Sequence, residues 1–184
     1  MAPTDEIQDL LDFWYSERIS ARWFASTPAL DDEIRARFEG LWQRGRAGQL
    51  ATWEASPEGA LALAIVLDQL PLNMFRGQPI AFSTEQQAVA VTKAAIQRGF
   101  AALLPQERVA FLFMPLMHSE NLADQDLSVE CFRGAGLENN VRFAEHHRGI
   151  VRRFGRFPHR NALLGRASTP EEMAYLDSPE AFKG

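Results

Sequence analysis

The chain of 184 residues contains a single cysteine, Cys131, and this excludes an intramolecular disulfide, a zinc ribbon and a redox pair. It also lacks any run of about 18 uncharged residues, and residues 1–8 carry acids where a secretory leader would be basic and then apolar. We therefore expect a protein of a reducing compartment, the cytoplasm, with no membrane span. The length and the 46% hydrophobic content fit one domain, in which residues after about 177 fray.

No segment alternates between apolar and polar residues as a half-buried strand does. Apolar residues instead recur at helical spacing, and Thr27, Ser56 and Thr169 each precede a proline as helix N-caps do. We predict an all-α fold of antiparallel helix pairs in a tetratricopeptide-like or bundle-like superhelical pile. The predicted helices lie near 4–15, 28–46, 58–72, 84–100, 105–118, 123–135, 139–154 and 169–176.

Charge is unevenly distributed along the chain, whose net charge is −5. Residues 141–166 contain seven arginines and one acid, Glu145, so this basic segment carries a net charge of +6. The overall acidity argues against nonspecific nucleic-acid binding. The basic segment either pairs with acidic helices of the same fold or forms an anion site, and the sequence leaves both possibilities open.

One polar pair interrupts an apolar helix. The stretch 61–70 reads LALAIVLDQL, in which Asp68 and Gln69 are the polar residues. Helical periodicity places Asp68 on the same face as Leu61 and Ile65. An ionised carboxylate on a buried face needs a partner, because burying it alone costs several kcal/mol. Asp68 therefore either pairs with a core arginine, caps a neighbouring helix or belongs to a functional site.

A second apolar helix leads directly to further candidates. Residues 109–117 read VAFLFMPLM, and His118 and Glu120 follow closely. Pro115 removes a backbone hydrogen bond and kinks the helix, which frees a carbonyl for a polar partner. The kink beside His118 and Glu120 is either the wall of a site or an ordinary buried helix end.

The basic segment contains an inward-facing histidine. In the predicted helix 139–154, His147 shares a face with the apolar residues and His146 points away. The predicted core stripe of this helix is Phe143, Ile150, Val151 and Phe154. An inward histidine is more often a satisfied core residue than a ligand or a base.

The loop after this helix offers hydrogen-bond donors on a rigid backbone. Pro158 prevents the helix from continuing through the sequence RFPHRN at 156–161. Arg156, His159 and Arg160 present donors in this loop, and guanidinium groups are well shaped for bidentate binding of a carboxylate or phosphate.

Three separated motifs and the aromatic strings that precede them carry a family resemblance. The motifs are LDQLPLNMFRG (67–77), FMPLMHSE (113–120) and RFGRFPHRNALLGRASTPEE (153–172), and the strings are FWY (13–15) and RWF (22–24), with Trp53. They resemble the bacterial domain-of-unknown-function family 924 over nearly the whole chain. The resemblance implies a tetratricopeptide-like helical fold and brings no activity. Leu72 stands where the family motif usually has an arginine, which implies an altered site if that arginine contributes to one.

Two functional hypotheses follow. In the first, the protein is a small enzyme or ligand-binding protein in which Asp68, His118, Glu120 and His159 carry out acid–base chemistry. Its anionic small molecule would be held by Gln69, Asn73, Arg76, His147, Arg156, Arg160 and Asn161. In the second, the protein is an interaction module whose groove binds a protein or peptide partner, without catalytic activity.

A third possibility is that these polar residues form one buried network that specifies how the helices pack. A metal site composed of His118, Glu120, Asp124 and His147 has no supporting HExxH or Cys/His spacing. Serine-hydrolase, P-loop and dinucleotide motifs are also missing from the sequence. We expect neither metal nor cofactor, and neither a nucleic-acid nor a membrane partner.

Overall fold

The computed structural model describes residues 3–182, and over that range the secondary structure is helical, without β-strands. The predicted all-α class is therefore confirmed. The helices are α1 (Pro3–Trp14), α2 (Glu17–Ser20), α3 (Pro28–Arg46), α4 (Pro57–Ala64), α5 (Leu70–Met74), α6 (Glu85–Gln97), α7 (Gln106–His118), α8 (Leu122–Gly134), α9 (Glu138–Phe154) and α10 (Pro170–Leu176). Short 3-10 turns occupy Ala51–Ala55, Pro79–Phe82, Phe100–Leu103 and Pro158–Arg160.

The helix starts carry the predicted caps. The side chains of Thr27 and Ser56 each accept a hydrogen bond from a backbone N–H in the first turn of the helix that follows. Thr169 and Glu172 form a complete capping box at the start of α10. These contacts satisfy N–H groups that have no partner within the helix, and they fix where each helix begins.

A π-helical turn at Ile65–Gln69 joins α4 to α5 in the middle of the core. Pro71, just after this turn, has no N–H to donate to the carbonyl of Leu67. The hydroxyl of Thr84 donates to that carbonyl instead, at 2.6 Å, and accepts a hydrogen bond from Trp42. The helices α3, α6 and α7 pack around this irregular helix, so its polar residues lie at the centre of the protein.

The helices α7, α8 and α9 pack successively against one another, as short connections between them require. Side chains close the carboxyl end of α7. The Gln125 amide donates to the carbonyls of Met117 and Ser119 at 2.7 and 2.6 Å. This arrangement fixes the position of His118, which is the last residue of α7. No helix among residues 3–182 is long and apolar enough to cross a lipid bilayer.

The core stripe predicted for α9 is wrong at Phe143, which is 60% exposed. The buried face of α9 consists instead of Val141, Ala144, His147 and Val151, together with Ile150. An α-helix has 3.6 residues per turn, so a buried stripe does not repeat evenly at a spacing of four residues. Phe143, four residues before His147, therefore falls outside the buried face. His147 is buried, as predicted.

The buried apolar residues form two clusters. The larger cluster contains residues of α1 to α9. The smaller cluster consists of Ile150, Val151, Phe157 and Tyr175, with Phe182 packed against it. The end of the described chain is thus attached to α9 through a small apolar cluster of its own.

Candidate functional site

The site is centred on a contact between Asp68 and His118. The Nδ1 atom of His118 lies 2.9 and 3.0 Å from the two carboxylate oxygens of Asp68. The Asp68 side chain is 4% exposed and also accepts a hydrogen bond from the Gln69 amide. Because a carboxylate can only accept, the Nδ1 atom carries the hydrogen, and in the neutral form of the ring Nε2 is an acceptor. His118 is partly exposed, and its Nε2 has no hydrogen-bond partner among residues 3–182.

A second ion pair adjoins the first. Arg160, in the turn Pro158–Arg160, donates to the carboxylate of Glu85 at 2.7 Å and to the carbonyl of His118 at 2.9 Å. Its guanidinium carbon lies 4.6 Å from the ring centres of both Phe82 and Phe157. Arg160 therefore neutralises Glu85 and caps the carboxyl end of α7, where a cation is favoured. We call Asp68, Glu85, His118 and Arg160 the buried quartet.

Glu85 is the member of the quartet that sequence reasoning missed. As the first residue of α6, it has the form of an ordinary first-turn acid that complements the helix dipole. Burial raises the pKa of the Glu85 carboxyl above its usual range, although the charge of Arg160 opposes this. No local pattern distinguishes such an acid from a solvated one, since its partner is 75 residues away along the chain.

His147 and His159 are neutral histidines beside the quartet. Burial lowers the pKa of His147 to about 3. Burial and then the charge of Arg160 lower the pKa of His159 to about 4. The Nδ1 of His147 donates to the carbonyl of Phe143 at 2.8 Å, whereas the buried Nδ1 of His159 has no partner in the described chain. Both rings contact Phe157 and Phe182.

Glu120, a predicted acid–base residue, fixes the loop after α9. Its carboxylate receives two hydrogen bonds from Arg166, at 2.6 and 2.9 Å, and one from the backbone N–H of Phe157 at 2.8 Å. Burial opposes ionisation of Glu120, but these donors outweigh it and hold its pKa below the usual range. Glu120 is therefore ionised, and its oxygens are occupied.

Four of the predicted ligand-binding residues engage other protein groups. Arg156 forms a bidentate pair with Glu172, which also accepts from the amide of Asn161 at 3.2 Å. The hydrogen bond from Arg156 lowers the pKa of Glu172 to about 2. Arg76 pairs with Asp31 near the surface and donates to Asn73. The structure thus brings Asp68, Gln69, His118, His147, His159 and Arg160 together, and it holds Arg76, Arg156 and Asn161 in separate contacts.

Two cavities lie outside the quartet. One of about 540 Å³ is lined by Asn139, Arg142, Phe143, His146 and Phe182. The other, of about 550 Å³, is bounded by α3 residues and Ile80. Within residues 3–182, no three side chains of His, Cys, Asp or Glu are grouped so that they could hold a metal ion.

Comparison with known proteins identifies the family. The chain belongs to the family described as bacterial proteins of unknown function, DUF924, whose model matches residues 10–180. The resemblance seen in the three motifs is thereby confirmed. A solved structure of a protein of unknown function, ATU0120 from Agrobacterium tumefaciens, is 34% identical with a TM-score of 0.90, over 95% of this chain and 98% of that one. No curated protein sequence matches the chain.

Proposed function

We propose that the protein is a small enzyme in which His118 transfers protons to and from an anionic small molecule. The observation that carries this proposal is the Asp68–His118 pair. Asp68 holds Nδ1 of His118, and Nε2 of a partly exposed ring has no partner among residues 3–182. A carboxylate that orients an imidazole in this way is the usual arrangement of a histidine general base.

The residues would act as follows. Nε2 of His118 takes a proton from the substrate, and the ring becomes an imidazolium that Asp68 stabilises through Nδ1. The same nitrogen then returns the proton to a different atom of the substrate or to its product. The π-turn that contains Asp68 supports this role, because single π-turns within helices often occur at functional sites. Arg160 positions His118 by bonding to its backbone carbonyl.

The proposal that the ligand is an anion depends on Arg160. Its Nε is buried without a partner in the described chain, and its ion-pair partner Glu85 has a raised pKa. An anion that reaches this Nε–H would accept a hydrogen bond from it. Arg76 and Arg156 contribute less than the sequence suggested, since Asp31 and Glu172 already neutralise them.

A peptide-binding module is the alternative that the family resemblance implies. Such a module needs a long groove with apolar anchors. The two cavities described above are local, and six residues or fewer line each of them. The Asp68–His118 contact is the specific observation that favours the enzyme proposal over this alternative. A cytoplasmic location, inferred from the lone Cys131, remains part of the proposal.

The test is a search for proton transfer with matched variants. The protein is incubated in D₂O with a panel of small carboxylates and phosphate esters, and mass spectrometry records deuterium uptake and substrate loss. We expect the wild type to act on at least one compound, His118→Gln to abolish the reaction, and Asp68→Asn to slow it by about 100-fold or more. His146→Gln, which changes an exposed histidine, should react normally.

Two results would contradict the proposal. In the first, His118→Gln folds normally and retains the wild-type rate, so His118 is not the base. In the second, no compound reacts and none raises the melting temperature of the wild type, although a ligand of the folded state must do so.

A further inference from the structure

The basic segment 141–166 pairs almost completely with carboxylates of the same fold. Six of its seven arginines form ion pairs, namely Arg148, Arg152, Arg153, Arg156, Arg160 and Arg166. Arg142 is the exception: its guanidinium has no ion pair, side-chain hydrogen bond or ring contact within residues 3–182. The segment thus has one cation whose charge no described residue balances.

Arg142 lies at the cavity on α9. This groove has a volume of about 540 Å³ and is lined by Arg142, Phe143, His146, Asn139 and Phe182. That volume is within the usual range of small-ligand sites. The ring of Phe143 is 60% exposed there, next to the uncompensated cation, and Phe182 forms a second apolar wall of the same groove. The groove is separate from the buried quartet, none of whose residues lines it.

We propose that this groove binds a small carboxylate with an apolar, aromatic or branched body. The guanidinium of Arg142 would hold the carboxylate, since its planar donors match two carboxylate oxygens. The rings of Phe143 and Phe182 would flank the apolar body and remove it from water. The amide of Asn139 supplies a further donor at the same surface.

Occupation of the groove acts on the end of the described chain. The ring of Phe182 is 4.5 Å from that of His147 and 5.0 Å from that of His159, so one side chain forms both a wall of the groove and a cover of these histidines. Phe182 belongs to the small apolar cluster on α9, and its backbone N–H donates to the hydroxyl of Tyr175. A ligand packed against Phe182 would therefore also stabilise the contacts of this segment with α9.

The experiment uses NMR titration of the whole protein with phenylacetate and with its neutral analogue phenylacetamide. We expect phenylacetate to shift the backbone amides of residues 139–146 and of Phe182, and phenylacetamide to bind at least about 10-fold more weakly, because it lacks the charge that Arg142 recognises. Arg142→Gln should weaken phenylacetate binding by a similar factor. Arg22→Gln is the matched control, since Arg22 is also exposed and has no ion pair in the described chain.

The inference is independent of the proposed enzyme activity, and a variant separates the two. His118→Gln should leave phenylacetate binding at the groove unchanged. Equal binding of the two probes, wild-type affinity in Arg142→Gln, or amide shifts confined to the buried quartet would each overturn the assignment. Arg142 is exposed and supports no other side chain, so loss of folding does not confuse the result.

Discussion

Replacement of Arg160 by alanine tests whether the buried quartet holds the helices together. The change removes the donor to Glu85 and to the carbonyl of His118, and it empties the space between the rings of Phe82 and Phe157. Glu85 then remains as a largely buried carboxylate without a cation. Removal of one partner from a buried pair costs about 3–5 kcal/mol. Because Glu85 retains some contact with water, we expect a loss of about 3 kcal/mol in the free energy of unfolding at pH 7.5.

The assay is urea unfolding followed by far-UV circular dichroism, with Arg153→Ala as the control. Arg153 lies in the same basic segment as Arg160 and pairs with Glu171 of α10. The two side chains are 52% and 62% exposed, so loss of this pair should cost less than about 1 kcal/mol. The deficit of Arg160→Ala should shrink as the pH falls from 8 to 5, because the unpaired Glu85 takes up a proton and stops being a buried charge. Glu85→Gln in the Arg160→Ala background should recover part of the loss for the same reason.

An unfolding free energy for Arg160→Ala within about 1 kcal/mol of the wild type, and similar to that of Arg153→Ala, would refute this reasoning. It would mean that the quartet exchanges its internal contacts for water at little cost. The pH dependence is a separate check: a deficit that grows as the pH falls would exclude the unpaired Glu85 charge as its cause.

Three further predictions concern other parts of the protein. Since burial lowers the pKa of His147 to about 3 and of His159 to about 4, the unfolded chain binds more protons below about pH 6.5. The free energy of unfolding should therefore fall as the pH is lowered from about 6.5 to 4, by up to about 1.4 kcal/mol per pH unit for each histidine. Urea unfolding at several pH values should show a shallower fall in His147→Gln. Thr84→Val removes two buried hydrogen bonds and should cost about 1–3 kcal/mol, whereas Thr84→Ser keeps the hydroxyl and should cost much less; equal losses in denaturant melts would contradict the role of that hydroxyl. Gly59→Ala places a Cβ 2.1 Å from a backbone oxygen and should lower the melting temperature sharply. The new Cβ of Gly40→Ala meets nothing within 4 Å, so this variant should gain about 0.5–1 kcal/mol in the free energy of unfolding. A stable Gly59→Ala would show that the turn before α4 can move.

The helices could be predicted because their signals are local. Caps such as Thr27 and Thr169, and apolar residues at helical spacing, determine where a helix begins and which face it buries. The π-turn could not be predicted in this way, since it depends on how α3, α6 and α7 pack around 65–69. The error at Phe143 has a related cause, because a small offset in the assumed stripe places a residue on the wrong face.

The candidate site could be predicted only in part. The burial of Asp68 indicates that a partner exists, but periodicity gives a face and not the residue that meets it, and His118 is 50 residues away. The sequence also did not decide whether the basic segment pairs with carboxylates of the same fold or forms an anion site. In the structure, all of its arginines except Arg142 pair with carboxylates. Each of those carboxylates lies outside residues 141–166, so the pattern within the segment does not reveal it.

The π-turn at Ile65–Gln69 makes the central helix change phase. A π-turn accommodates one more residue than an α-turn, so everything after it is rotated by about 100° relative to an uninterrupted α-helix. The central helix therefore presents one set of faces through α4 and a rotated set through α5, which packs against α3, while Asp68 within the turn faces His118. Deletion of a single residue in 65–67 would restore a regular α-helix. It would also rotate α5 relative to α4, so that the two helices could no longer both keep their native contacts. Within this family, the length of that segment should consequently tolerate far less variation than its side chains do.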